Sequence, residues 1–242
     1  MELSKRLQTV ADAVIPGHRI ADVGTDHGYI PIYLVKNGLC PNAYAMDINE
    51  GPLARAKEHI EKEGLSGKIE TRRSDGLKEL RPEEVDTIII AGMGGELICR
   101  ILQQSVQFLI QEKELILQPQ SEWFKVRHYL HKHGYHIKQE WFLKEDGKYY
   151  VIIKAVPAQD KRIEKYPSEF MYAYGKCLLD EKNPVLVEYL KNELEKKQRI
   201  LRHMDIQEKE NMSETEEENV KKRQERYRQL EKEISEIKEY IF

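Results

Sequence analysis

Hydrophobic residues over positions 1–157 follow two patterns, which alternate along the chain. Short runs such as residues 86–90 are apolar throughout, which is typical of strands buried on both faces of a parallel sheet. Between such runs, apolar residues recur every three to four positions, which predicts amphipathic helices. The pattern predicts an N-terminal helix over residues 3–14, then five strand–helix units, and then a β-hairpin.

The order of these elements predicts the fold class. The strands are predicted over residues 19–23, 43–47, 68–72, 86–90, 114–118, 136–144 and 149–156, and the later helices over residues 29–37, 51–63, 95–110 and 121–133. This order is typical of the Rossmann-like class I methyltransferases. It predicts an α/β fold whose seven-stranded, mostly parallel sheet has one antiparallel strand at its edge.

A different pattern begins after residue 157. No glycine or proline follows Pro184, and apolar residues recur three and four positions apart, on both sides of an acidic break at residues 213–218. We expect a first domain over residues 1–157 and a helical domain over residues 158–242, which forms an antiparallel, coiled-coil-like hairpin. One long helix that mediates dimerisation is the alternative. The two stripes consist of Val187, Leu190, Leu194, Leu201 and Met204, and of Val220, Tyr227, Leu230, Ile234, Ile237 and Ile241.

Composition favours a cytoplasmic protein. The 242 residues have a net charge of −3, and no run approaches the roughly 20 apolar residues that span a bilayer. The first residues lack the apolar segment of a signal peptide. Cys40, Cys99 and Cys177 are far apart, which indicates a reducing compartment and no zinc site. We expect no membrane and no metal partner, and a monomer rather than a dimer.

A glycine turn follows the first predicted strand and indicates a ligand. Gly24 and Gly28 let the backbone approach a ligand closely, and Asp47, at the end of the second strand, can accept hydrogen bonds from ribose hydroxyls. A dinucleotide turn has the form G-x-G-x-x-G, whereas Asp22 and Asp26 beside this turn would repel a pyrophosphate. The turn therefore favours S-adenosylmethionine, which carries a sulfonium and an ammonium group. NAD, or a plain turn without a ligand, are the alternatives.

Polar and glycine residues also follow the next three strands, where parallel sheets bind their ligands. Asp75 would accept a hydrogen bond from the adenine amine of the cofactor, and Ile48 would pack on the adenine ring. Asp75 taken alone could be a simple turn former. The set at four strand ends predicts a cofactor site. Its predicted members are Asp22, Gly24, His27, Gly28, Asp47, Ile48, Asn49, Asp75, Gly76, Gly92 and Met93.

The loop after the fourth strand reads AGMGG over residues 91–95. Methyltransferases that modify exocyclic amines usually carry an Asn/Asp-Pro-Pro-aromatic sequence at this place, and this chain has neither the prolines nor the aromatic residue. The loop therefore favours a ring nitrogen, an oxygen or a carbon as the methyl acceptor.

Several motifs together resemble a known family. They are LSKRLQTVA, ADVGTDHGYIPIYL, RRSDGL, IIIAGMGGELI, LILQPQ and EDGKYY, and they extend over roughly residues 3–155. They are similar to the bacterial tRNA adenine-N1 methyltransferases that modify position 22. The resemblance implies S-adenosylmethionine as the methyl donor, N1 of an adenine in the D arm of tRNA as the acceptor, and a C-terminal helical domain.

Asp26 and Tyr29 are the predicted catalytic residues because they lie where the methyl group would emerge. Adenine N1 has an unprotonated lone pair at neutral pH, so positioning is the main requirement and no strong base is needed. We expect Tyr29 to place the target base, which must leave its stack, and Asp26 to accept from its N6 amine. The alternative is that Asp26 only orders the turn.

Binding of tRNA requires positive charge. A tRNA partner is the leading expectation. A methyltransferase of a small molecule or protein, and a non-catalytic RNA-binding module, are the alternatives. Three basic clusters are candidates for the tRNA contact: Lys125, Arg127, His128, His131, Lys132 and His133; Arg72 and Arg73; and Lys221, Lys222, Arg223, Arg226 and Arg228.

Overall fold

The computed structural model describes residues 2–105, 108, 113–158, 165–210 and 217–242. Seven strands form one sheet in the order β3-β2-β1-β4-β5-β7-β6. The strands are β1 (Ile20–Val23), β2 (Ala43–Asp47), β3 (Ile69–Arg73), β4 (Thr87–Met93), β5 (Glu114–Pro119), β6 (Tyr135–Glu145) and β7 (Lys148–Pro157).

Nine α-helices lie within the described ranges. They are α1 (Lys5–Asp12), α2 (Tyr29–Lys36), α3 (Glu50–Lys62), α4 (Gly95–Gln103), α5 (Trp123–Lys132), α6 (Glu169–Tyr174), α7 (Lys176–Asp180), α8 (Pro184–Glu210) and α9 (Glu217–Ile241). The predicted end of the fourth helix at residue 110 lies outside the described residues. The described helix ends at Gln103.

The sheet confirms the predicted α/β class and corrects one detail of it. Strands β1 to β5 pair in parallel, whereas β7 is antiparallel to both β5 and β6. The antiparallel strand is therefore internal, and the prediction that it forms the edge is wrong. The reason is the tight turn at Asp146 and Gly147, both with positive φ, which returns β7 along β6 and into the gap beside β5.

Two further differences concern the segments on either side of β4. The connection from β3 to β4 contains a short 3-10 helix, Pro82–Glu84, where the sequence analysis places no helix. Strand β4 continues to Met93, three residues beyond its predicted end, because a register shift between Ala91 and Met93 lets it pair on with β5. The first residues of β4 are fully buried in the centre of the sheet.

Backbone contacts divide the chain into two compact units, Met1–Leu178 and Leu179–Phe242. The unit that holds the sheet therefore continues past the expected boundary at residue 157. A buried guanidinium explains why, because Arg127 of α5 donates to the carbonyl oxygens of Tyr172 at 2.8 Å and Ala173 at 3.0 Å. These bonds hold α6 against the helix that follows β5.

The C-terminal unit is an antiparallel pair of helices. Lys197 of α8 pairs with Glu233 of α9 at 2.7 Å, and Arg223 of α9 donates to the carbonyl oxygen of Met204 of α8 at 2.7 Å. Later residues of one helix thus meet earlier residues of the other, which excludes one long helix. Much of the acidic break lies outside the described residues, and coiled-coil packing stays a prediction. The buried hydrophobic residues described in this unit are Leu179, Leu186, Leu190, Leu194, Leu230, Ile234 and Ile237.

Candidate active site

The turn after β1 bends sharply at the carboxyl end of the sheet. Gly24, His27 and Gly28 all have left-handed φ angles, of 78°, 63° and 69°. The N–H groups of Gly24 and Thr25 both donate to the carbonyl oxygen of Met46 in β2 at 2.8 Å. A Cβ atom at Gly24 would overlap the methyl group of Met93. Glycine therefore suits both the backbone angle and the space at position 24.

Helix α3 fixes the shape of this turn from one face. Arg55 donates to the carboxylate of Asp26 at 2.8 and 3.3 Å, and His59 Nδ1 donates to the carbonyl oxygen of His27 at 3.0 Å. Between them, Ala56 lies so near Gly28 that a Cβ there would be 3.3 Å from its methyl group. Arg55 and His59 are four residues apart and therefore point in the same direction. Sequence reasoning missed this role of α3.

Three aromatic rings form a stacked group at the turn. The rings of His27 and Tyr29 are 5.1 Å apart and nearly parallel, at 8°. The ring of His59 is 5.3 Å from the first and 5.6 Å from the second, at 19° and 14°. The half-buried ring of Tyr29 is thus held in a defined plane, which is what a residue that places a base requires.

The turn forms one wall of a cleft of about 310 Å³, which we call the inner cleft. Strand β4 contributes Ala91 and Gly92, and helix α1 contributes Arg6 and Leu7. The structure thus brings both predicted catalytic residues together with four of the predicted cofactor residues. These six are Asp22, Gly24, Asp26, His27, Tyr29 and Gly92.

The carboxyl group of Asp22 is the main electrostatic feature of the inner cleft. Only 6% of the residue is exposed. Burial, together with the negative charge of Asp47, raises the pKa of Asp22 to about 6. The side chain of Thr25 lies beside this carboxyl and opposes the rise in its pKa. The buried Nδ1 atom of His27 has no hydrogen-bond partner in the part of the chain that the structure describes. Polar groups of this kind fit a cationic, hydrogen-bonding ligand.

A second cavity, the rim pocket, lies at the ends of β2 and β3 and measures about 520 Å³. Ile48 is 51% exposed and forms an apolar surface there, and Asp75 lines the same pocket while it pairs with Lys78. Arg73 also lines it and pairs with Glu50 at 2.7 Å. The pocket therefore combines an apolar face with a carboxylate, which suits a purine ring.

Five predicted cofactor residues line neither cavity. The carboxylate of Asp47 accepts the N–H of Asn49 at 2.7 Å, at the start of α3. Gly28 and Met93 pack within the turn region described above. A Cβ at Gly76, whose φ is 63°, would lie 3.0 Å from Ile101 of α4. The predicted contacts of these five residues with a cofactor stay predictions.

Sequence reasoning missed Arg6, which reaches the inner cleft from α1. Its Nη1 atom donates to Gln118 at the end of β5 at 2.8 Å, and its guanidinium lies 5.6 Å from the ring centre of Tyr150. Gln120 lines the cleft as well. The polar QPQ sequence after β5 is a visible signal for the glutamines, whereas nothing local marks Arg6.

Two of the expected basic clusters are smaller than predicted. Arg127 is fully buried against Glu140 at 2.7 Å. His131 is buried too, and burial with nearby His136 and His128 lowers its pKa to about 4, so it is neutral at pH 7. In the second cluster, Arg72 pairs with Glu84 and Glu70 at 3.0 and 2.8 Å, so its charge is compensated. Lys125 pairs with Glu96 at 2.7 Å, so the exposed and uncompensated lysine of the first cluster is Lys132.

Neither a metal site nor a membrane segment is found within the described ranges. No group of three or more His, Cys, Asp or Glu side chains is placed to hold a metal ion. None of the described helices has the length and apolar character that crossing a bilayer requires.

The sequence of this chain matches one family of known proteins. A family model described as TrmK, tRNA (adenine(22)-N(1))-methyltransferase, matches residues 20–239. The chain belongs to the TrmK family. The tRNA (adenine(22)-N(1))-methyltransferase of Bacillus subtilis (strain 168) is 39% identical over 201 residues, which cover 83% of this chain and 84% of the relative. The expected family is therefore confirmed, together with its activity.

Solved structures of TrmK relatives agree with the fold. Streptococcus pneumoniae Sp1610, in complex with S-adenosyl-L-methionine, is 34% identical with a TM-score of 0.83, and 100% of each chain is covered. M. capricolum TrmK, in complex with S-adenosyl-homocysteine, is 31% identical with a TM-score of 0.79, and the match covers 100% of this chain and 98% of the other. The Rossmann-like methyltransferase fold is thereby confirmed.

Proposed function

We propose that this protein transfers the methyl group of S-adenosylmethionine to N1 of adenine 22 in the D arm of tRNA, in the cytoplasm. The observation that carries the proposal is the inner cleft. It unites the buried carboxyl of Asp22, the left-handed backbone of Gly92 and the stacked ring of Tyr29 at the carboxyl ends of β1 and β4. Family membership supplies the reaction, and these residues supply a place for it.

The predicted cofactor residues of the two cavities would contact different parts of the cofactor. Ile48 and Asp75 of the rim pocket would hold the adenine, and Asp47, which follows β2, would hold the ribose. Asp22 would pair with the ammonium group of the amino-acid tail, since its carboxylate faces the inner cleft without a cationic partner in the described part of the chain. When bound, S-adenosylmethionine supplies an electrophilic methyl group on a sulfonium. The backbone around the cofactor would be formed by Gly24, His27, Gly28, Asn49, Gly76, Gly92 and Met93.

Tyr29 and Asp26 have separate proposed tasks at the target base. The ring of Tyr29 would orient the adenine so that its N1 lone pair faces the methyl group, which is the main requirement of an in-line displacement. Asp26 would accept from the N6 amine. Its carboxylate is paired with Arg55 in this structure, so the base would have to share or replace that partner.

The direct test is methylation of a defined tRNA. We expect labelled S-adenosylmethionine to give 1-methyladenosine in a tRNA transcript that carries adenine 22, and no label at that position in the matched transcript with guanine 22. Label found in both transcripts, or no 1-methyladenosine in the first, would contradict the proposed substrate. Label in a protein or a small molecule would support the alternative class of methyltransferase.

A substitution at Tyr29 tests the proposed placement of the base. We expect Tyr29→Ala to lower kcat by about a hundredfold, because misplacement of a reacting group by about 1 Å costs this much. Binding of S-adenosylmethionine, measured by calorimetry, should stay unchanged. Tyr29→Phe is the matched control and should keep most of the activity. Full turnover by Tyr29→Ala would remove the residue from the mechanism.

A further inference from the structure

A groove of about 840 Å³ lies between α4, α5 and the chain around α6, outside the inner cleft. We call it the aromatic groove. Five histidine and tyrosine rings line it, and the ring of His128 stacks on that of Tyr172 at 3.6 Å and 11°. Six of its residues carry the following argument: Phe124, His128, Lys132, Lys165, Tyr166 and Tyr172.

Phe124 presents an open ring to this groove. The residue is 45% exposed, and it makes no ring contact with any side chain that the structure describes. A single exposed ring is ordinary on a protein surface, but this one lies in a groove that other rings and lysines line. Its flat, apolar ring is suited to stacking with a nucleobase.

The unbalanced charge of the groove is positive. Lys125 is compensated by Glu96 at 2.7 Å, and His128 is next to Glu169 at 2.9 Å. Lys132 and Lys165 line the groove and are exposed, and neither has an acidic partner in the described part of the molecule. These two lysines are therefore available for the phosphate groups of a nucleic acid.

The aromatic groove adjoins the inner cleft through the starts of two helices. Gly92 lines the cleft and Glu96 the groove, and likewise Gln120 lines the cleft and Phe124 the groove. The N–H of Gly95 donates to the carbonyl oxygen of Ser121 at 3.1 Å, so the two helix starts are held together. A strand with its target base in the cleft would pass this groove.

We propose that the aromatic groove binds a nucleotide of the tRNA that flanks the target adenine, with its base stacked on Phe124 and its phosphates near Lys132 and Lys165. The proposal rests on the proposed function, because it requires tRNA as the substrate. The groove would then determine how tightly the tRNA is held, while the inner cleft determines the chemistry.

The first test compares Phe124→Ala with Phe124→Tyr. Loss of one base–aromatic stack weakens binding by roughly tenfold. We therefore expect Phe124→Ala to raise the Kd for tRNA, and KM in methylation, by about this factor. Phe124→Tyr keeps the ring and should bind as the wild type does. The Kd for S-adenosylmethionine and kcat at saturating tRNA should be unchanged in both variants.

The second test concerns the two lysines. We expect Lys132→Gln and Lys165→Gln each to lower the dependence of tRNA binding on salt, with the slope of log Kd against log salt falling by about 1 for each lost phosphate contact. Lys138→Gln is the matched control, since Lys138 is an exposed lysine on β6 that does not line the groove.

Unchanged tRNA affinity and unchanged salt slope in all groove variants would overturn the proposal. A groove that binds another protein would give this outcome. Failure of the proposed function looks different, because the wild-type protein itself would then form no 1-methyladenosine. Direct binding of tRNA, measured by fluorescence anisotropy, reports on the groove without any turnover.

Discussion

A single buried carboxyl group, that of Asp22, connects the electrostatics of the inner cleft to folding. Its pKa is about 6 in the folded chain against an ordinary value near 3.8. The folded state therefore holds this proton more tightly than the unfolded state. The ionised group destabilises the fold at pH 7, and this penalty disappears as the pH falls from about 6 toward 4.

We expect Asp22→Asn to raise the free energy of unfolding at pH 7 by about 1 to 3 kcal/mol, since it removes a buried charge. The gain over the wild type should shrink as the pH is lowered through 6. Affinity for S-adenosylmethionine should fall, because the ammonium group loses its partner. Thermal melts at several pH values and calorimetry measure both effects.

Asp86 is the matched control because its pKa is shifted in the opposite direction from that of Asp22. The guanidinium of Arg19, 2.8 Å away, lowers the pKa of Asp86 to about 2. Asp86→Asn should therefore lower the melting temperature at pH 7 and leave cofactor binding unchanged. Equal effects of the two substitutions on stability would contradict the assignment for Asp22.

The pair of Asp26 and Arg55 separates two roles for the carboxylate. If Asp26 contacts the target base, Asp26→Asn should lower kcat by more than Arg55→Gln does. If it only orders the turn, both variants should lose the same activity, and the double variant should lose no more than either. A double-mutant cycle on kcat measures the difference. Binding of S-adenosylmethionine to each variant is the control.

At the scale of elements, α5, α6 and β6 share one buried charge cluster. Arg127 and Glu140 are both fully buried, and a Cβ at Gly175 would lie 2.5 Å from the carboxylate and 2.8 Å from the guanidinium. Gly175 also has a φ of 90°, which disfavours other residues. The glycine after α6 is therefore required by packing and by backbone geometry.

We expect Gly175→Ala to destabilise the sheet unit, and Glu140→Gln to cost about 3 kcal/mol, since it leaves a buried guanidinium without its counter-ion. Urea unfolding measures both changes. Gly147→Ala is a control for backbone strain alone, because a Cβ at Gly147 meets nothing within 4 Å although φ is 74°. If Gly175→Ala lowers the free energy of unfolding no more than Gly147→Ala does, backbone strain alone accounts for the effect.

Local patterns predict most of the elements and the glycine turn after β1. The bounds of β2 and the residues of the turn agree with the structure because runs of apolar residues and glycines act over a few positions. The place of β7, the burial of Arg127 and the reach of Arg6 into the cleft depend on contacts across many residues. No periodicity along the chain encodes such contacts.

The site shows the same division. The places of Asp22 and Asp75 in the two cavities could be predicted because parallel strands present their ends at one edge of the sheet. The contacts of α3 with the turn could not be predicted, since Arg55 and His59 have the pattern of ordinary exposed helix residues in the sequence. Their partners become visible only after the first two strand–helix units pack side by side.

At the scale of the whole molecule, the boundary of the catalytic unit lies beyond its last strand. A fragment that ends at residue 157 would remove the carbonyl groups of Tyr172 and Ala173 from buried Arg127. We expect this fragment to unfold, and a fragment that ends at residue 178 to fold and to bind S-adenosylmethionine. Circular dichroism and calorimetry distinguish these outcomes.

The longer fragment also tests the helical pair. Arg226 and Arg228 of α9 are exposed and belong to the third basic cluster expected from the sequence. We expect the fragment without this pair to bind tRNA more weakly and with a smaller salt dependence. Wild-type tRNA affinity in the fragment would show that the sheet unit alone carries the interface.

The close packing of Gly28 against Ala56 has a mechanical consequence. Helix α3 begins immediately after the carboxylate assigned to the sugar and, two turns later, clamps the loop assigned to the acceptor base. A branched side chain at position 56 would push this helix outward as a rigid rod. The carboxylate proposed to hold the ribose and the turn proposed to hold the target base would then be displaced together. The affinities for S-adenosylmethionine and for tRNA should therefore decline in parallel.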